Sequence, residues 1–216
     1  VLENLDFYAG LYSITGQARS ERISEILGMA GLHGLEHRLV GNLSRGWKQR
    51  LALGCAIISR PRIVFLDEPT SGVSPGARRA FFDLIQQLAS EGTTVIVTTH
   101  FMDEAERCNR IAFMLEGRLM ALDSPDNLKA KALEGYLVEL ELPGAMEWMA
   151  EIEIQPYVRE CSMHGPLLHV LLQEPSCMSA LQALTGVEPR PITPSLEDVF
   201  VALARKTASP GYHTPV

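Results

Sequence analysis

Ile63-Val64-Phe65-Leu66-Asp67-Glu68-Pro69-Thr70 is the stretch that decides the fold of this chain. Its apolar start predicts a buried parallel strand, and the proline prevents the strand from continuing. The two carboxylates then lie where the strand leaves the core, and in α/β sheets ligands bind outside the carboxyl ends of the strands. A carboxylate pair at that place can hold a divalent metal with one member and polarise a water with the other. The alternative is a strand that ends in a helix-capping aspartate, and this segment alone does not decide between the two.

A helix and a second strand follow this stretch. Residues 76–88 repeat apolar side chains at helical spacing, and residues 93–99 are β-branched and apolar, which predicts a second buried strand that ends at His100. A strand, a helix and a strand form a βαβ unit, whose strands are parallel. We therefore expect Asp67, Glu68 and His100 to lie at the same edge of one sheet.

A third informative segment lies upstream, in Leu43–Arg50. Ser44 and Gly46 lie where a helix is predicted to begin. Free backbone N–H groups and the positive end of the helix dipole make a helix start a natural phosphate site, and small residues there let a phosphate approach the backbone closely. A serine N-cap followed by a flexible glycine is the alternative explanation of the same pair.

These segments resemble the motifs of ATP-binding cassette (ABC) ATPases, in order and in spacing. Leu43–Trp47 resembles the signature loop, usually L-S-G-G-Q, and Arg62–Pro69 resembles the Walker B strand with its catalytic glutamate. Ser71–Pro75 is similar to the D-loop, and His100 is similar to the switch histidine. The C-terminal Pro194–Phe200 is similar to tails in the exporter branch that includes daunorubicin-type and ABC-2 multidrug exporters.

The resemblance implies an ATPase that uses ATP and Mg²⁺. Asp67 would orient the Mg²⁺ ion through water, Glu68 would act as general base or position the attacking water, and His100 would contact the γ-phosphate. Phosphoryl transfer depends mostly on such positioning and on charge stabilisation.

In this family the signature loop caps the nucleotide on the opposite subunit, which implies a head-to-tail dimer of two ATPase subunits. On this resemblance the nucleotide-binding residues are Ser44, Arg45 and Gly46 of the signature loop and Ser71 and Gly72 of the D-loop, together with Asp67.

Three positions depart from the family pattern. Arg45 replaces a usual glycine, Trp47 replaces a usual glutamine, and Ser74 replaces a usual aspartate. An arginine beside a phosphate adds favourable charge, whereas tryptophan cannot accept a hydrogen bond. An uncharged Ser74 predicts weaker coupling between the two nucleotide sites.

The phosphate-cradling loop G-x-x-x-x-G-K-[ST], the Walker A motif, is not found in this sequence. The family places it upstream of every motif found here, and Val1–Tyr8 resembles the first helix of the family's helical subdomain. We therefore expect a C-terminal fragment of the ATPase, with a naturally degenerate half as the alternative. In either case the chain alone is expected to bind and hydrolyse ATP poorly.

Composition limits the remaining possibilities. The chain has 216 residues, 46% of them hydrophobic and 21% charged, which is ordinary for a soluble globular protein. A net charge of −7 argues against a nucleic-acid partner. No apolar run approaches the ~20 residues of a membrane-spanning helix. The four scattered cysteines predict reduced thiols in a cytosolic protein.

The fold class predicted is α/β, a partial P-loop NTPase of the ABC type with a helical subdomain and a parallel sheet. Residues 1–123 are predicted to form this partial ATPase domain. Residues 124–205 change to a β-α-β-β-α order, which predicts a small α+β accessory domain of ferredoxin-like type. Residues 206–216 are predicted to be a flexible tail.

The function predicted is the ATP-binding and ATP-hydrolysing subunit of an ABC exporter, which powers transport through a transmembrane permease. This places the protein in the cytoplasm, peripheral on the inner face of the plasma membrane. The alternatives are a soluble non-transport ABC ATPase and a non-catalytic regulatory half. The presence of Asp67, Glu68 and His100 argues against the last, because a dead site has no physical need for all three.

Overall fold

A computed structural model describes residues 1–131 and 133–208, with only the backbone described for the last three. Two compact units are present, Val1–Glu104 and a second that begins at Ala105. The helices in the described residues are α1 (Leu2–Leu11), α2 (Gly16–Met29), α3 (Arg45–Ile57), α4 (Pro75–Ser90), α5 (Met102–Ala105), α6 (Pro125–Lys131), α7 (Ala145–Glu153), α8 (Met178–Thr185) and α9 (Leu196–Ala208). The strands are β1 (Ile63–Asp67), β2 (Thr94–Thr98), β3 (Ile111–Leu115), β4 (Arg118–Asp123), β5 (Tyr136–Glu141), β6 (Val158–His164), β7 (Leu167–Leu172) and β8 (Arg190–Pro191).

Strands β1 and β2 of the first unit pair in parallel, from Ile63 opposite Thr94 to Asp67 opposite Thr98. Helix α4 connects them and contacts β2. The predicted βαβ unit is therefore confirmed.

The prediction that both strands are fully buried is wrong for one face of this sheet. Val64 is buried, but 52% of Ile63 and 73% of Phe65 are exposed, as is 47% of Ile96 on the neighbouring strand. Successive side chains of a strand point to opposite faces, so helices that cover one face leave the alternate residues open. The continuous apolar pattern predicted the strands correctly, but it wrongly predicted that both of their faces are buried.

Helix α4 is amphipathic, as its spacing predicted. Pro75 stands at its first position, where a missing N–H costs nothing. Its buried side chains are Phe81, Phe82, Leu84, Ile85 and Leu88. Each such burial stabilises the fold by about 1.5–3 kcal/mol.

Helices α2 and α3 are joined by a buried arginine. Arg22 on α2 donates from Nε to the carbonyl of Ile58 at 2.9 Å and from Nη2 to the carbonyl of Ile57 at 2.5 Å. The last carbonyls of a helix have no partner within the helix. Arg22 adds hydrogen bonds at this end of α3, where the Ile57 carbonyl also accepts the backbone N–H of Arg60 at 2.9 Å.

The second unit contains a β-hairpin and a four-stranded sheet. Strands β3 and β4 form the hairpin. The sheet has the order β6-β7-β5-β8 with every pair antiparallel. Helix α7 follows β5 and helix α8 follows β7. This split βαβ order is the ferredoxin-like arrangement predicted from the sequence.

The hairpin of residues 111–123 belongs to the second unit, whereas the sequence assigned it to the ATPase domain. The predicted boundaries at residues 123 and 205 stay predictions. Helix α9 extends through Ala208, and the remainder of the predicted tail, residues 209–216, lies outside the described residues.

All four cysteines lie in the described residues, and none of them forms a disulfide. Burial raises the pKa of the Cys55 thiol to about 11 and that of Cys161 to about 12. These two thiols are held protonated in the hydrophobic interior. The reducing compartment predicted from the cysteines stays a prediction.

Candidate functional site

The parallel pairing of β1 and β2 brings the two strand ends together. The carboxylate Oε1 of Glu68 lies 3.3 Å from Nδ1 of His100, and 52% and 56% of the two side chains are exposed. The predicted convergence of Glu68 and His100 at one edge of the sheet is confirmed. Their chemical roles stay a prediction.

Asp67 is oriented by its partner residue on β2. The hydroxyl of Thr98 donates to Asp67 Oδ1 at 2.5 Å, and the Thr98 hydroxyl oxygen accepts the backbone N–H of Glu68 at 3.0 Å. Thr98 therefore fixes one carboxylate oxygen of Asp67 and the backbone at Glu68. Thr98 was not predicted as a site residue, although the parallel register places it directly opposite Asp67.

The backbone at Glu68 adopts φ = 40°, in the left-handed region. This conformation costs a residue other than glycine about 1–3 kcal/mol and persists only where neighbouring contacts impose it. The N–H of Ser71 donates to the Glu68 carbonyl at 3.1 Å, and Pro69 and Thr70 are buried. This hydrogen bond holds Ser71 in the turn that begins at Glu68.

The predicted signature residues lie at the start of α3. Ser44 is its N-cap, and the carbonyl of Ser44 accepts the N–H of Lys48 at 3.0 Å. The Ser44 side chain makes no capping hydrogen bond. A Cβ placed on Gly46 would lie 3.3 Å from Ala77 Cβ, so the absence of a side chain lets α3 approach α4.

Arg45 lies against the predicted D-loop of the same chain. A Cβ on Gly72, whose φ is +69°, would lie 2.8 Å from Arg45 Nη1. The structure thus brings Arg45 and Gly72 together. In the described residues, no hydrogen bond or ion pair joins Ser44, Arg45 or Gly46 to Glu68 or His100.

A buried carboxylate beside this site was also missed. Glu104 is 2% exposed and accepts hydrogen bonds from Thr70 and Thr99. The threonines that flank Glu68 and His100 were the available signal, but periodicity does not reveal which distant acid they meet.

A separate cluster in the second unit joins His164, His169 and Asp198. His169 Nδ1 donates to Asp198 Oδ1 at 2.7 Å, and His164 Nε2 lies 3.2 Å from the same oxygen. The two imidazole rings stack 3.8 Å apart at an angle of 11°. Both imidazoles thus approach one carboxylate oxygen, and the hydrogen bond from His169 ties Asp198 of α9 to the strand β7.

Comparison with known proteins gives the following matches. A family model described as ABC transporter matches residues 1–71. Nod factor export ATP-binding protein I of Rhizobium sp. (strain N33) is 34% identical over 205 residues, which are 94% of this chain and 67% of that protein. The probable multidrug ABC transporter ATP-binding protein YbhF of Escherichia coli (strain K12) is 47% identical over 132 residues, which are 61% of this chain.

The fold is similar to that of cbiO1 from Clostridium perfringens, part of the ABC transporter complex cbiONQ. The TM-score is 0.56 at 22% identity, over 72% of this chain and 57% of that chain. The match to YbhF spans 23% of the length of that relative. Within the described residues, no helix combines the length and the apolar character needed to cross a bilayer.

Proposed function

Because this chain belongs to the family of ABC transporter ATP-binding proteins, we propose that it carries the hydrolytic machinery of an exporter's ATPase subunit. The two relatives described above carry names that refer to multidrug transport and to Nod factor export. Both names describe ATP-binding proteins, and the name of the relative that this chain covers to 67% states export, so the proposal is made at the level of export.

One observation carries the proposal: the carboxylate of Glu68 lies 3.3 Å from the His100 imidazole, beside an Asp67 that Thr98 holds. All of these groups stand at the carboxyl ends of parallel strands, the usual ligand edge of an α/β sheet. Glu68 is half exposed, so its carboxylate can reach a water molecule and accept its proton. His100 fixes the direction of that carboxylate and offers a ring nitrogen to a phosphate oxygen.

Asp67 fits the requirements of a magnesium ligand. Mg²⁺ prefers hard oxygen ligands and keeps several of its waters, so it binds through one or two carboxylates and the substrate phosphates. The exposed Asp67 carboxylate, oriented through one oxygen by Thr98, offers such a ligand and leaves room for water. When bound, Mg²⁺ supplies positive charge that neutralises the phosphate oxygens.

Ser44 and Gly46 at the start of α3 are proposed to face the ATP of a second ATPase subunit in a head-to-tail dimer. The Ser44 hydroxyl is not used for capping, so it can donate to a phosphate. The backbone N–H groups of the first turn add favourable dipoles for an anion.

The exposed face of the β1–β2 sheet is proposed to pack against the rest of the nucleotide-binding domain. Parallel sheets in α/β proteins are normally covered on both faces. The exposed side chains of Ile63, Phe65 and Ile96 support such a covering partner.

The exposed apolar side chains at α1 are evidence for a further partner, a transmembrane permease. Phe7 and Leu11 are 66% and 63% exposed, and Tyr8 and Tyr12 beside them are 37% and 50% exposed. A contiguous exposed apolar patch of this kind marks an interaction site. We propose that it docks on the cytoplasmic side of the permease, which holds the protein on the inner face of the plasma membrane.

The test is the Glu68→Gln substitution in the full-length protein. We expect ATP binding to persist and hydrolysis to fall by at least ~100-fold, the low end for a general base. Glu91→Gln, which alters an exposed carboxylate at the end of α4, is the matched control and should hydrolyse ATP normally. Unchanged turnover by the Glu68 variant would remove Glu68 from the proposed role.

A further inference from the structure

Glu104 is a buried carboxylate with both oxygens engaged by threonine hydroxyls. Its side chain is 2% exposed. Thr70 donates to Oε1, and Thr99 donates to Oε2 at 2.5 Å. Because a buried charge is costly unless it is hydrogen-bonded and paired, such an arrangement needs a specific structural reason.

The two threonines belong to the two turns that carry the candidate hydrolytic pair. Thr70 lies two residues after Glu68, and Thr99 directly precedes His100. The Thr99 hydroxyl also accepts the backbone N–H of Phe101 at 3.0 Å. A single carboxylate therefore connects the turn after β1 with the turn after β2.

Arg78 on α4 completes this connection. Its Nε lies 3.4 Å from Glu104 Oε1, an ion-pair distance without the geometry of a directed hydrogen bond. Its guanidinium lies 3.5 Å above the ring of Phe101, and that ring lies 4.1 Å from the imidazole of His100. The positive charge that balances Glu104 thus also supports the residue next to His100.

Glu68 and His100 need such support. Both side chains are about half exposed, and an ion pair in that environment contributes little by itself. The left-handed backbone of Glu68 is strained as well, and it persists only where surrounding contacts impose it. The hydrogen bonds to Glu104 are such contacts, because the bond from Thr70 is buried and the bond from Thr99 is partly buried, and hydrogen bonds shielded from water are strong.

We propose that Glu104 is a positioning residue that holds the Glu68 and His100 turns in register, and that its two hydroxyl contacts set the distance between those side chains. The effect of this positioning role on ATP hydrolysis rests on the proposed function. Its effect on the distance between Glu68 and His100 does not depend on that function. Thr70, Thr99 and Arg78 act through the same carboxylate.

The geometric part is tested in this chain by NMR of the His100 ring, whose resonances are identified by comparison with a His100→Gln variant. With Glu104 present, Glu68→Gln should shift these resonances, because the two side chains are in contact. In the Glu104→Gln background the same substitution should produce a shift smaller by at least about twofold, as expected when two coupled groups separate.

Thr99→Val provides a second variant in case Glu104→Gln does not fold. It keeps the side-chain shape and removes one of the two hydroxyls, so it should reduce the same shift. Asp103→Asn is the matched control, because Asp103 lies 3.7 Å from Arg78 but is 71% exposed. It should leave the shift unchanged.

The catalytic part is tested in the full-length protein. A small displacement of a positioned group costs about 10- to 100-fold in rate, so Glu104→Gln should lower kcat by that factor. The KM for ATP should stay within about twofold, since no ground-state contact is removed. Glu104→Asp, which keeps the charge but is shorter, should recover part of the loss.

The outcomes separate the two claims. The positioning role is overturned if Glu68→Gln shifts the His100 resonances equally with and without the Glu104 or Thr99 substitution and kcat is unchanged. A full-length protein that hydrolyses no ATP, while the shift still depends on Glu104, supports the positioning role and overturns the proposed function.

Discussion

The guanidinium of Arg45 occupies the space that a side chain at Gly72 would need: a Cβ there would lie 2.8 Å from Arg45 Nη1. Gly72→Ala should therefore destabilise the chain for two reasons. Its φ of +69° costs an alanine about 1–2 kcal/mol, and Arg45 has to move. Urea unfolding of the chain measures the total.

The double variant Arg45→Ala with Gly72→Ala isolates the contact, since it removes the guanidinium and keeps the backbone strain. It should recover only the part of the loss that is due to contact. Gly76→Ala, four residues further on, is the control because no atom lies within 4 Å of its Cβ position. Equal losses in the free energy of unfolding for Gly72→Ala and Gly76→Ala would contradict the prediction.

The elements of the first unit could be predicted from sequence because each one depends on local pattern. The strand 63–67 and the helix 75–90 follow from runs and repeats of apolar residues. The convergence of Glu68 and His100 follows from the parallel connection, which leaves one arrangement of strand ends.

The contacts that hold this site could not be predicted in the same way. Thr98 and Glu104 look like ordinary polar residues in the sequence, and their roles depend on strand register and on how α5 folds back on the two turns. The exposure of Phe65 also depends on what covers the sheet, which no repeat encodes.

In the second unit, the order of elements predicted the ferredoxin-like sheet. The stacking of His164 on His169 follows from hairpin register, since His169 pairs with Ser162 and His164 pairs with Leu167. The approach of Asp198 from α9 depends on tertiary packing, which no local sequence pattern indicates.

Gly54 permits the close approach of α3 to α2. A Cβ at this position would lie 2.7 Å from Ile26 Cγ2, and Ile26 is completely buried. Gly54→Ala gains about 1 kcal/mol of helix propensity but overpacks the core at a cost of about 1–3 kcal/mol. We expect a net loss of stability, measured by urea unfolding.

Gly10→Ala on α1 is the control, because the nearest atom to its Cβ position lies at 3.7 Å, an ordinary contact distance, on the guanidinium of the half-buried Arg19. This variant should be neutral or more stable. In a double-mutant cycle, Ile26→Ala should cost less in the Gly54→Ala background than in the wild type, since the new methyl fills part of the cavity. Additive losses would show that the two positions do not interact.

Asp198 should make the second unit sensitive to acid. Burial raises the pKa of this carboxyl, but hydrogen bonds from His169 and from Ser195 outweigh burial and lower the pKa below its ordinary value. The bonds come from His169 Nδ1 and from the Ser195 N–H and hydroxyl, each at 2.7 Å. Ser195 also accepts the Asp198 N–H at 3.2 Å, which completes the capping box of α9.

A carboxyl whose pKa is lower in the folded state contributes stability that is complete above the unfolded pKa of about 3.9 and is lost as the pH falls through the native pKa. Asp198→Asn should cost about 1.5–3 kcal/mol at pH 7, the range for hydrogen bonds to a charged group. The difference from the wild type should shrink as the pH falls below about 4, as measured by urea unfolding across that range.

Glu197→Gln, on the exposed side of the same helix turn, should change stability by less than about 0.5 kcal/mol at any pH. A loss for Asp198→Asn that stays constant down to low pH would mean that the shape of the side chain, and not its charge, secures α9.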